Sequence, residues 1–166
     1  MKKILLTTIV LINFYQMKGQ VGMGKASVDG GAILDFPLSK TGIILPMLDT
    51  LPTGTAATNG TFIYDSSDKI VKVRQNDVWV SLSDAGSLTG TMPNTSAETG
   101  GGVIIGAASS AAQGVLVLES SSLALVLPKV NDPVFNMKSP VAGTLCYDTV
   151  SKTMAVFDGL KWSFWK

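Results

Sequence analysis

Hydrophobic and polar residues alternate in short runs that are separated by turn-forming residues. Val71 and Val73 alternate with Lys72 and Arg74, as expected for a strand with one buried face. β-branched and aromatic residues recur in the neighbouring runs, which favours strands over helices. The pattern therefore predicts a three-stranded antiparallel meander. We place its strands at Phe62–Asp65, Ile70–Arg74 and Val78–Leu82.

The same pattern returns later in the chain. The hexapeptide Gly60 to Asp65 recurs as Gly143 to Asp148, at an offset of 83 positions, and Trp79 meets Trp162 at the same offset. An internal repeat of this length defines the architecture, so it takes precedence over local propensity. A second meander is therefore predicted. We place its strands at Leu145–Asp148, Thr153–Phe157 and Lys161–Trp165.

A more irregular apolar segment precedes each meander. Gly42 to Pro46 loosely matches Leu123 to Pro128, at an offset of 82. Residues 103–128 are apolar at most positions, but glycines and serines interrupt them, which predicts short strands rather than one long element. We place these strands at Val103–Ile105, Val115–Leu118 and Leu123–Leu127.

The fold class predicted from these patterns is all-β. It consists of two tandem copies of a short-strand stalk segment followed by a three-stranded antiparallel meander. A linker rich in Gly, Ser, Thr and Ala joins the copies. The predicted divisions are a signal peptide at 1–19, a first β unit at 20–83, the linker at 84–102 and a second β unit at 103–166.

The N-terminus has the charge and hydrophobicity order of a secretory signal peptide. Two lysines precede an apolar run from Ile4 to Phe14, which is shorter than the about 20 residues that a bilayer span needs. Gly19 places a small residue just before Gln20. We therefore expect cleavage near Gln20 and a mature chain without a transmembrane segment. Its destination would be the extracellular space, the cell surface or the periplasm.

Five segments follow one another in the first copy: a glycine-paired opening, a Leu-Asp strand, a Gly-x-x-Leu-Pro segment, a Tyr-Asp strand and a Trp hairpin. They are Val21 to Gly24, Ile33 to Phe36, Gly42 to Pro46, Gly60 to Asp65, and Trp79. This succession resembles a repeat of secreted Bacteroidota proteins. The resemblance implies stalk or tip segments such as those of phage tail fibres and surface adhesins, and it implies no catalytic residues.

Composition argues against several classes of function. The chain has no histidine and a single cysteine, Cys146, so the usual ligand sets for zinc, copper and haem iron are missing and we expect no cofactor. The commonest serine and cysteine hydrolases need a histidine base, and we expect no enzyme activity. Without the three lysines of the signal peptide, 10 basic residues stand against 12 acidic ones, which argues against nucleic acid as a partner.

Carboxylates leave one enzymatic alternative open, since two of them at a suitable distance can cleave a glycosidic bond. Aspartates that follow strands more commonly form turns, and turn residues are the favoured interpretation. Cys146 aligns with Ile63 on a strand and is expected to be a small buried hydrophobe. The aspartates in question are Asp65, Asp68, Asp148 and Asp158.

The aromatic residues of the meanders are the candidate ligand-binding residues, because exposed rings can stack on sugars or anchor a protein partner. Tyrosine and tryptophan recur 15 positions apart in both copies, however, which favours a repeated core pair across each meander. Trp165, which has Leu82 as its counterpart, is expected to be the most exposed. The candidates are Trp162, Trp165, Tyr147, Trp79 and Tyr64.

Together these features favour an exported, non-enzymatic structural or adhesive surface protein, comparable to a fibre component, that acts through assembly and contact. A small carbohydrate-binding module that uses the meander aromatics is the alternative. The expected partners are copies of the chain itself, a surface glycan or another surface protein.

Self-association is expected because each unit has only about 60 residues, a size that is marginally stable alone. Residues 103–128 also carry apolar side chains on both faces of their strands, and soluble monomers rarely expose a large patch of this kind. Association of identical chains would cover it. A homo-oligomer is therefore predicted, and the resemblance to fibre stalks implies a trimer. Packing of the two copies face to face within one chain is the alternative.

Overall fold

A computed structural model of the chain describes residues 19–91, 96 and 100–166. The predicted signal peptide, apart from Gly19, lies outside the described residues, as do positions 92–95 and 97–99 of the predicted linker. The described chain is mostly strand with almost no helix, which confirms the all-β class. Its helical turns are a 3₁₀ turn at Gly54–Ala56 and a four-residue helix, α1, at Pro133–Asn136.

The strands are short, and most contain two to five residues. In the first half, residues 20–83, they are β1 Val21–Gly22, β2 Ala32–Asp35, β3 Leu38–Ser39, β4 Ile43–Ile44, β5 Met47–Leu48, β6 Phe62–Asp65, β7 Ile70–Gln75 and β8 Val78–Ser81. In the second half, residues 103–166, they are β9 Val103–Ile105, β10 Leu116–Leu118, β11 Ala124–Leu125, β12 Lys129–Val130, β13 Thr144–Asp148, β14 Thr153–Phe157 and β15 Trp162–Trp165.

Two antiparallel meanders are present at the predicted places. The first consists of β6, β7 and β8, and the second of β13, β14 and β15. Both use the same strand register, since Phe62 pairs with Val73 and Leu145 pairs with Val156, each partner lying 83 positions further on. Equivalent side chains of the two meanders therefore occupy equivalent faces.

Turn residues determine where these strands reverse. Asn76 and Asp77 adopt positive φ values of 49° and 59° and connect Gln75 to Val78 as a two-residue hairpin. Both residue types tolerate this left-handed conformation and favour such turns. In the second meander Gly159, with a φ of 97°, lies in the corresponding loop between β14 and β15.

Parallel strand pairs accompany each meander. β5 runs parallel to β6, and β12 runs parallel to β13. Further upstream β1 pairs with β2 and β9 with β10, and the registers again correspond. Val21 faces Leu34, and Val103 faces Leu116 at an offset of 82.

Three further pairings join the two halves of the chain. Strands β2, β3 and β4 of the first half pair with β11, β12 and β13 of the second. As a result β3 and β4 belong to the same six-stranded sheet as β12 to β15, whereas β5 to β8 form a four-stranded sheet. The β4–β13 contact needs a glycine, because a Cβ on Gly42 would lie 2.6 Å from the carbonyl oxygen of Leu145.

The two meanders pack face to face around one shared core. Side chains that pair across antiparallel strands lie on one face, and in each meander one such face meets the other meander. We call these the inner faces, and the opposite sides the outer faces. The meanders thus pack against each other within one chain. Face-to-face packing of this kind was the alternative to self-association. The buried residues of this core are Leu45, Tyr64, Val71, Leu82, Ala142, Leu145 and Val156.

The predicted core pair of Tyr64 with Trp79 is wrong. Their partners on β7 lie three residues apart, and side chains alternate along a strand, so the two rings lie on opposite faces. Tyr64 belongs to the inner face and Trp79 to the outer face. The same register separates Tyr147 from Trp162 in the second meander.

Tyr64 allows a test of the shared core. Its side chain is fully buried, and its hydroxyl donates a hydrogen bond of 3.0 Å to the carbonyl oxygen of Asp158. Tyr64→Phe removes this bond between the meanders, so the free energy of unfolding should fall by about 1 kcal/mol. Tyr147→Phe, at the equivalent but partly exposed position, is the matched control. Urea denaturation followed by tryptophan fluorescence measures both, and equal losses would contradict the assignment.

Candidate functional site

A groove of about 490 Å³ opens on the outer face of the second meander. Its floor comes from β14 and β15, because residues two apart on one strand share a face. Its wall comes from α1 and the segment after it. Asp132 caps this helix by accepting a hydrogen bond from the amide of Phe135. The residues that form the floor and the wall include Phe157, Trp162, Phe164, Val134, Met137 and Pro140.

Aromatic contacts position the rings of this groove. The centroids of Phe157 and Trp162 lie 5.2 Å apart with their planes tilted by 44°, a favourable arrangement for an aromatic pair. Trp162 also packs on a small buried cluster that includes Cys146 and Met137. Phe164 remains 43% exposed. The groove therefore presents a supported apolar surface to solvent.

One ion pair lies at the rim of the groove. Lys161 donates to Asp84 across 2.6 Å, and this hydrogen bond raises the pKa of the lysine and lowers the pKa of the aspartate. The cation among the lining residues is thus already paired. An uncharged surface, such as a sugar ring or an apolar side chain, fits the groove better than an anion does.

The outer face of the first meander has different side chains at the equivalent positions. Arg74 stands where the second meander has Phe157, and Ser81 stands where it has Phe164. The guanidinium of Arg74 lies over the ring of Trp79, 5.7 Å from its centroid, as a cation–π contact. The aromatic floor of the groove is therefore a property of the second meander.

The five predicted ligand-binding residues do not form one site. Trp162 lines the groove, and Trp79 lies on the outer face of the other meander under a guanidinium. Tyr64 is buried in the shared core. Tyr147 and Trp165 share the inner face of the second meander. Trp165 is 41% exposed, in line with its expected exposure, and its Nε1 donates to the backbone carbonyl of Leu82.

Sequence reasoning missed most of the groove. Phe157 and the wall residues Met137 and Pro140 were not among the candidates, although they line it together with Trp162. The alternation of Trp162 and Phe164 along one predicted strand was the available signal, since two aromatic residues at that spacing share a face. The wall carries no comparable pattern.

The aspartates that follow strands hold turns together. Both carboxylate oxygens of Asp148 accept hydrogen bonds, from the amides of Asp132, Val150 and Ser151. The Oδ1 atom of Asp158 accepts from two amides of its own loop, while its buried Oδ2 has no hydrogen-bond partner among the described residues. These contacts agree with the interpretation of turn residues.

Asp65 binds a buried lysine in addition to turn amides. Its Oδ1 accepts from the amides of Ser67 and Asp68, and its Oδ2 accepts from Lys72 at 2.6 Å. Lys72 also donates to Asp68. The second meander has Ala155 in place of this lysine, so the ion pair belongs to the first meander.

Cys146 is fully buried, as expected for a small hydrophobe. Burial, with a smaller contribution from Asp148, raises the pKa of its thiol to about 12. The thiol is therefore protonated at neutral pH, which makes it a poor nucleophile.

Within the described ranges, no three histidine, cysteine, aspartate or glutamate side chains are grouped so that they could hold a metal ion. In the same part of the chain no helix is both long and apolar enough to cross a membrane. Comparison of the chain with protein-family models, with curated proteins and with solved structures finds no match.

The Asp65–Lys72 pair predicts a pH dependence of stability. Burial alone would raise the pKa of Asp65, but the hydrogen bond from Lys72 and those from two amides outweigh it and hold the pKa below 3.8. The stabilisation is therefore complete above about pH 4 and is lost as the pH falls through the lower pKa of the folded state. Asp65→Asn should destabilise the chain by about 3 kcal/mol at pH 7 and flatten this decline.

Asp68→Asn is the matched control, because this carboxylate contacts the same lysine but its side chain is 56% exposed. It should cost less than about 1 kcal/mol. Urea denaturation at a series of acidic to neutral pH values measures the unmodified protein and both variants. Equal losses for the two variants would contradict the special role of the buried carboxylate.

Proposed function

We propose that this chain is an exported, non-enzymatic structural or adhesive surface component that works by assembling with copies of itself. In this proposal it consists of two tandem copies of one unit, each a short-strand stalk segment followed by a meander. The resemblance to fibre and adhesin segments of secreted Bacteroidota proteins supports an assembly of three chains.

The recurrence of strand register is the observation that carries this proposal. The pairing of Val21 with Leu34 recurs 82 positions later, and the pairing of Phe62 with Val73 recurs 83 positions later. A duplicated unit explains both recurrences, because equal sequence spacing produces equal register. Duplicated units that stack on one another are a common basis for elongated assemblies.

Exposed apolar residues in the segment that precedes the second meander, residues 103–128, support self-association. Val103 is 59% exposed, Val115 66% and Leu116 44%. Apolar surface of this kind, clustered in one segment, commonly marks a contact with another molecule. Asp65, Asp148 and Asp158 support a non-enzymatic role, because four of their six carboxylate oxygens accept hydrogen bonds from turn amides.

Mass measurement of the exported protein tests the proposal. The denaturing mass should match a chain that begins at or within a few residues of Gln20, because a signal peptidase cleaves after a small residue. The native mass should be an integer multiple of that chain, and three is the expected number. A soluble extracellular product that retains Met1, or a monomer at micromolar concentration, would contradict export or assembly respectively.

A small carbohydrate-binding module is the second candidate function, and the aromatic groove is the observation that favours it. Trp162 and Phe164 offer ring surface on one face, and the nearby cation is paired with Asp84. Such a surface suits the apolar face of a sugar ring. The aromatic floor belongs to the second meander, as expected for a function added to one unit of a duplicated scaffold.

A glycan array tests this second candidate. Phe164→Ala should abolish a specific signal, because its ring lies on the groove floor, and its exposure of 43% means that the truncation leaves the fold largely unaffected.

Trp165→Ala is the matched control for the array. Trp165 is exposed to a similar extent but lies on the inner face of β15, whereas Trp162 and Phe164 lie on its outer face. This variant should therefore keep the signal that Phe164→Ala abolishes. A signal lost equally in both variants, or absent from the unmodified protein, would contradict the carbohydrate-binding candidate.

A further inference from the structure

Pairing between the two halves of the chain runs in one direction. The early strands β2, β3 and β4 of the first half pair with the later strands β11, β12 and β13 of the second half. In the part of the chain that the structure describes, no strand pair runs in the reverse sense, from the early strands of the second half to the later strands of the first. The contact is therefore heterologous, with two different surfaces meeting.

The recurring registers identify the counterpart of each surface. Leu34 corresponds to Leu116, since both occupy the same place in their parallel pairs. Leu145 corresponds to Phe62 in the meanders. Each half thus has one surface made by its early strands and one made by its later strands. The first half uses its early-strand surface and the second half uses its later-strand surface. The other surface of each half has no partner strand among the described residues, and we call these two the open surfaces.

Apolar residues on the used surfaces are more buried than their counterparts on the open surfaces. Leu34 on β2 is fully buried, whereas its counterpart Leu116 on β10 is 44% exposed. Leu145 on β13 is 3% exposed, whereas its counterpart Phe62 on β6 is only partly buried. The open surfaces therefore carry apolar side chains at the positions that the used surfaces bury.

We propose that a second copy of this chain fills the open surfaces by strand addition. The second half of one copy, through β10 and β11, would pair with β4 and β6 in the first half of the next copy. Strands β4 and β11 would use the edge that is not already paired with β13 or β2 within the chain. The pairing of Ile44 with Thr144 within the chain would recur between copies as Val126 with Thr61. Strand addition to a free edge is a common mode of recognition, since backbone hydrogen bonds supply affinity and side chains supply register.

The occupant is a second copy rather than an unrelated protein because the open surfaces continue an interface that already exists within the chain. A head-to-tail contact of this kind produces a closed ring or an open filament, depending on the rotation between copies. This inference rests on the proposed self-assembly and specifies which surfaces make it.

Disulfide cross-linking between two single-cysteine chains tests the inference. Both chains carry Cys146→Ala, so that the introduced thiols are the only ones. One chain carries Thr61→Cys and the other, with a different affinity tag, carries Val126→Cys. The counterpart positions Ile44 and Thr144 form a directly opposed antiparallel pair, whose Cα separation suits a disulfide.

Co-expression followed by mild oxidation should yield a disulfide between the two different chains and none when either chain is oxidised alone. A chain with Ile44→Cys and Thr144→Cys is the positive control, because it should close an internal disulfide. Equal cross-linking of either variant with itself would overturn the head-to-tail arrangement, since it indicates a symmetric contact or random collision.

Leu116→Lys provides an independent test, because a charge on the free edge opposes strand addition. It should abolish the cross-link, whereas Leu160→Lys, at a position 68% exposed in the groove, should leave it intact. An oligomer by native mass that gives no mixed cross-link would overturn this inference alone. A monomer by native mass would overturn both this inference and the proposed assembly.

Discussion

The shared core between the inner faces is the interaction on which the rest of the structure depends. Neither meander has enough residues to bury an apolar face alone, and each covers the face of the other. Tyr64 and Val71 from one side meet Leu145 and Val156 from the other. Because this packing brings the halves together, strands β2 and β11 can pair although about 90 residues separate them, a loop whose closure costs conformational entropy.

Buried aspartates at strand ends hold the adjoining turns in place. Asp35, Asp65 and Asp148 each accept hydrogen bonds from backbone amides that would otherwise lack a partner in the turn. The first two also bind a lysine, Lys25 and Lys72 respectively. A buried carboxylate is tolerated there because several donors compensate for its loss of hydration.

The two meanders differ on their outer faces while sharing the same register. Arg74 and Lys72 give the first meander a charged outer face, whereas Phe157 and Ala155 give the second an apolar one. Since residues on the outer face do not enter the shared core, they can change without disturbing it.

The sequence by itself determined the two meanders, because alternation and turn residues such as Asn76-Asp77 act over a few neighbouring positions. It also indicated the recurrence of register and the burial of Cys146. Only the tertiary structure decided which face each aromatic ring occupies, since a shift of one residue in register moves a side chain to the other face. The parallel pairs β1–β2 and β9–β10 and the wall of the groove could not be predicted from the sequence either. Two-residue strands are too short to show alternation, and their partners lie far away in the chain.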